Sequence, residues 1–97
     1  MPAPSIRAEA RLDIAEAATW YEGESRGLGR EFTRAVRASL AAIARDPAHY
    51  QIVFEDVRRA LVRRFPYALY FVVEPAAVVI IACVHVRRDP QVWQSRR

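Results

Sequence analysis

The chain has no lysine, one cysteine, three glycines and two histidines among its 97 residues, and each shortage narrows what it can be. Without lysine, all fifteen cations are arginine. Every positive side chain is then a planar, always-charged fork suited to carboxylate or phosphate. A lone Cys83 cannot close an internal disulfide and suits a reducing compartment. Cys83 and His85 lie two apart and invite a metal or a Cys-His dyad, but only His49 remains to join them, too few ligands for zinc. There is no Gly-rich phosphate loop, no G-x-S-x-G and no acidic metal cluster. No cofactor and no metal are therefore expected. The uncharged run Ala76 to Val84 is far below the roughly 20 residues that span a bilayer. The opening MPAPSIRAEARLD has early acids and no apolar core of a secretory signal. The expectation is a cytoplasmic protein with no membrane partner.

The length suits one domain, residues 1–97, with a two-layer core, and 53% hydrophobic content supports it. A net charge of +4 and a pI near 10 are a moderate basic excess that hints at an anionic partner. Ser5 to Glu9 reads as a short first strand. Ala10, Ile14, Ala17 and Tyr21, broadened by Ala18, then recur at helical spacing to about Glu24. Glycines 23, 27 and 29 break that pattern, and a second stripe of Leu28, Phe32, Ala35, Val36, Ser39, Leu40 and Ile43 runs to Arg45 before Asp46-Pro47. So short a connection packs the two helices as an antiparallel hairpin. After the connector DPAHYQIVFED, β-branched and aromatic residues mark strands at about Val57 to Arg64, Tyr67 to Glu74 and Val78 to Val86, with a loose turn as the tail. The last strand is almost wholly apolar and so interior. The fold class is α+β, β-α-α-β-β-β, a helical hairpin on one face of an antiparallel sheet.

Strict alternation puts Arg59, Leu61 and Arg63 on one side of the second strand and Arg58, Ala60, Val62 and Arg64 on the other. The same count groups Ile81, Cys83, His85 and Arg87 on the last strand. The face free of helices would then gather hairpin arginines, a tyrosine, His85 and Arg87 or Arg88 into a basic, aromatic surface. Such a surface has the parts that metal-free RNA cleavage needs: an acid, a base and cations for the phosphorane charge. The same arginines also serve as defence of a strand edge, and His85 as a hydrogen-bonded structural residue. Tyr67, Tyr70, Trp20 and Tyr21 are the residue types that pack as readily as they react.

Four segments in order, D-I-x-E-A-x-x-W-Y-E from Asp13, G-L-G-x-x-F from Gly27, R-R-x-L-x-R-R-F-P-Y from Arg58 and H-x-R-R-D-P-x-x-W from His85, resemble the RelE/ParE superfamily of bacterial toxins. The likeness is greatest to its ParE-like branch, often labelled plasmid stabilisation proteins, and runs over almost the whole chain. The resemblance implies the toxin of a type II toxin-antitoxin module, held inactive in a hetero-oligomer by a small acidic antitoxin. RelE-like members cut messenger RNA on the ribosome, and ParE-like members poison DNA gyrase. In the cutting reading, His85, Arg63, Arg64 and Arg87 would be catalytic, with Glu55 or Asp56 completing an acid/base pair. Several nucleases of the family place a tyrosine where this chain has Trp93, and an indole exchanges no proton at neutral pH. The resemblance therefore favours gyrase, bound through Arg58, Arg59, Arg63, Arg64, Tyr67, Arg87, Arg88 and Trp93, with catalysis not required. A third reading is a decayed toxin that only binds antitoxin. Arg30, Arg34 and Arg37 of the second helix would meet the acidic antitoxin, or else form a solvated helix face.

Overall fold

The structure is a computed structural model and describes residues 3–97. Strand β1 (Ser5–Ile6) leads into α1 (Ala8–Glu24) and α2 (Leu28–Arg45), and a 3-10 turn (Pro47–His49) precedes β2 (Ile52–Phe54). β3 (Val57–Leu61), β4 (Tyr67–Val73), β5 (Val78–His85) and α3 (Gln91–Gln94) complete it. The expected hairpin on a sheet is present. The sheet has five strands in the order β1-β5-β4-β3-β2, antiparallel except that β1 runs parallel to β5. Two differences lie at the edges: β1 stops at Ile6 because α1 begins at Ala8, and the connector hides β2, a three-residue edge strand. β2 turns into β3 through Glu55-Asp56, with Glu55 in the left-handed region at φ 51.

The helices bury the stripes their spacing predicts. Ala10, Ala17, Phe32, Val36 and Ile43 meet Ala60, Val62, Leu69, Phe71, Ile80 and Cys83 from the sheet. The hairpin closes tightly because two glycines allow it. Gly27 takes a φ of 88, and a Cβ on Gly29 would come within 2.6 Å of the Ala18 carbonyl oxygen across the hairpin. The Glu22 carboxylate accepts hydrogen bonds from the Gly27 and Gly29 N–H groups at 3.1 Å, so α1 supplies the cap that the start of α2 needs.

A β-bulge overturns strict alternation on β5. Tyr70 pairs with Ala82 and Phe71 with Ile80, which leaves Ile81 as the extra residue. Ile80 and Cys83 therefore face the helices, while Ile81, Ala82 and Val84 face the other side, and Ile81 does not share a face with Cys83. That other side is not an open basic surface. Val57, Ala68, Tyr70, Val72, Ile81, Ala82 and Val84 form a second apolar layer beneath Trp93. The tail that closes it is more ordered than a loose turn: Trp93 stacks on Tyr70 with ring centroids 4.1 Å apart and planes 11° apart, and Phe54 meets it edge-on.

Two ion pairs fasten this tail. Arg96 holds Asp13 of α1 through two guanidinium nitrogens, at 2.5 and 3.2 Å. Arg97 holds Asp56 at 2.5 and 2.6 Å. Beyond Ile80, β1 no longer covers β5, so the strand's backbone must find partners elsewhere. Asp13 accepts from the Cys83 N–H at 3.0 Å and Arg96 donates to the Ile81 carbonyl at 3.1 Å, so two backbone groups of the bare edge find side-chain partners.

Candidate functional site

Register brings two arginine pairs to one end of the sheet. Tyr67 opens β4 opposite His85, the last residue of β5, and the Val86 N–H donates to the Pro66 carbonyl at 2.9 Å. The β3–β4 turn and the exit of β5 are therefore neighbours. Arg63, Arg64, Arg87 and Arg88 all sit there, exposed. Below them Tyr21, Phe32, Phe65 and Tyr67 interlock with ring centroids 4.9 to 5.9 Å apart, so the charges stand on a rigid base.

The turn itself is strained. Val62 to Phe65 closes with a Phe65 N–H to Val62 carbonyl bond, and its third residue, Arg64, has a φ of 70. That is the type II pattern, in which glycine normally fills the third position. Val62 is buried in the helix-side core, so the strand direction ends there and Arg63 and Arg64 leave the alternation expected through residue 64. They join Arg34 and Glu31 of α2 around a hollow of about 280 Å³ floored by Ala35 and Ala38.

On the other flank, Asp13, Glu16 and Trp20 of α1 face Tyr67, Cys83, His85 and Arg88 across a groove of about 290 Å³. His85 thus lies on the helix side of the sheet, 5.4 Å ring to ring from Tyr67. Its Nδ1 accepts from the Arg87 N–H at 3.0 Å, so a neutral ring carries its proton on Nε2. Burial and then the nearby Cys83 push the Tyr67 phenol up, with Arg88 pulling against them. Burial, then Asp13, pushes the Cys83 thiol up to about 12, which makes it a poor nucleophile at neutral pH. Among the described residues no cluster of three His, Cys, Asp or Glu could hold a metal ion.

Other expected members lie elsewhere. Arg58 donates to the carbonyls of Ala48 at 3.3 Å and Tyr50 at 2.7 Å, and so braces the loop after α2. Arg59 pairs across from Tyr70, on the α3 side. Trp93 is 6% exposed and belongs to the second core. Glu55 and Asp56 turn the far hairpin, about 20 Å along the strands from His85, so neither pairs with it. The hydrogen bond from Arg97 holds the Asp56 carboxyl below its usual range. Of the helix-two arginines, Arg34 joins the turn arginines, Arg30 is exposed, and Arg37 lies with Arg45 on a separate apolar groove of about 700 Å³ lined by Ile6, Leu40, Ala41 and Ala44. Glu16 and the Asp13–Arg96 pair were not singled out by sequence, because their partners are remote in the chain.

No family model matches the chain, and no curated protein matches it. A solved structure of the chromosomal ParDE TA system from P. aeruginosa contains a chain that is similar in fold, with a TM-score of 0.65 and 15% sequence identity over 88% of this chain and 96% of that one. The helical hairpin on a sheet is a fold the two chains share.

Proposed function

We propose that this chain is the toxin of a type II toxin-antitoxin module and arrests growth, when free of its antitoxin, by inhibiting DNA gyrase through a protein interface. The observation that carries the reading is the fold shared with a chain of the ParDE system. An exposed basic end, with Arg63, Arg64, Arg87 and Arg88 over an aromatic base, is the surface offered to the target. Burial of Trp93 and the distance of Glu55 and Asp56 from His85 favour binding over bond-breaking. The antitoxin would fill the apolar groove between β1 and α2, where Arg37 and Arg45 suit an acidic amphipathic segment.

One observation favours a ribosome-dependent messenger RNA endoribonuclease instead: His85 shares its groove with Glu16, Tyr67 and Arg88, an acid, a phenol and a cation. The purified chain, assayed for gyrase supercoiling and for mRNA cutting on translating ribosomes, separates the two. Inhibited supercoiling, uncut mRNA and full growth arrest by His85→Ala are expected. Cleavage that His85→Ala abolishes with the fold intact would transfer the assignment to the nuclease. Antitoxin binding with neither activity would identify an inactive binder.

A further inference from the structure

We propose that Arg34, Arg63 and Arg64 form a binding site for a small phosphomonoester dianion. The inference stands on this face alone and not on the toxin reading. Three arginines and one glutamate, Glu31, line the hollow, a formal surplus of two positive charges. The ion pairs among the described residues are Asp13–Arg96 and Asp56–Arg97, so none of the three arginines is committed to a carboxylate. Each guanidinium offers parallel donors that match phosphate oxygens. A phosphomonoester carries nearly two negative charges at neutral pH, which balances the surplus, whereas a phosphodiester carries one.

The backbone supplies an independent pointer. Arg64 occupies the left-handed position of its turn, at a φ of 70, where glycine would sit without strain. A strained residue persists where its surroundings hold it, and such residues gather at ligand sites. Here the strained Arg64 lines the same hollow as Arg34 of α2, and Ala35 and Ala38 in that lining are small. The hollow, about 280 Å³, has room for a phosphate and a small attached group.

The test is a titration of the full chain with inorganic phosphate and with adenosine 5′-monophosphate, at ionic strength fixed with chloride, read by amide chemical shifts. Saturable shifts confined to residues 34–38 and 62–65 are expected. Arg34→Ala and Arg64→Gly should each weaken binding about tenfold or more, and Arg64→Gly removes the strain and so retains the fold. Equal shifts with chloride alone, binding of dimethyl phosphate as tight as of phosphate, or shifts centred on residues 85–88 would each overturn the proposal.

Discussion

Replacing Trp93 by alanine tests whether the C-terminal turn is part of the core or an ornament on it. The indole is 6% exposed and stacked on Tyr70 at 4.1 Å. Removing roughly 200 Å² of buried apolar surface at about 25 cal/mol/Å² forfeits about 5 kcal/mol before relaxation. α3 is one turn long and can settle onto the sheet, so the cost should fall near the lower end of the range for large aromatic deletions, about 3 kcal/mol. Against a total of roughly 5–15 kcal/mol for a chain of this size, that is a large share. Urea unfolding followed by circular dichroism should show a midpoint about 2–3 M lower. Trp93→Phe keeps a ring over Tyr70 and should cost only about 1 kcal/mol. A loss under about 1 kcal/mol for Trp93→Ala would refute the docked tail, and with it the covered second face.

Three further predictions concern Asp13 and Cys83 at the β5 edge. Asp13→Ala strips the Cys83 N–H and the Arg96 guanidinium of one shared partner and should destabilise the chain by about 2 kcal/mol; Asp13→Asn keeps an acceptor and should cost less, as thermal unfolding of the two variants would show. Cys83 should resist a thiol-specific disulfide reagent at neutral pH until the chain unfolds, and rapid labelling of the native protein would contradict its burial. Because the folded thiol sits at about 12 against 9.0 unfolded, the unfolded chain loses its proton first as pH rises. Its contribution to stability is therefore complete below pH 9 and lost from there to about 12. Wild type should lose about 2 kcal/mol more than Cys83→Ala between about pH 8 and about pH 10.5, measured by urea unfolding.

The helices were legible from sequence because an amphipathic stripe has one period and the core reads it directly. Of the predicted stripe, Phe32, Val36 and Ile43 are buried, and Leu28, Ala35, Ser39 and Leu40 are half-buried. The three long strands were legible in order, but the edge strand β2 and the facing were not, because alternation assumes an unbroken period of two. One bulged residue at Ile81 cancels that assumption, and nothing local announces it: Ile80 and Ile81 are the same residue type, and their separation into two cores is decided by pairing with β4. The arginines show the same limit from the other side. In VRRALVRR all four look equivalent, yet Arg58 is spent on backbone carbonyls, Arg59 follows the α3 face, and Arg63 and Arg64 escape the strand through a left-handed turn. The resemblance describes Trp93 only by what the side chain lacks, a proton-transferring phenol. Its position against Tyr70 explains what it supplies, since a larger flat ring closes a second face that a one-turn helix could not otherwise cover. His85 lies in the helix-side groove and Trp93 in the second core, so a His85 variant, and not one of Trp93, separates binding from cutting without disturbing the core.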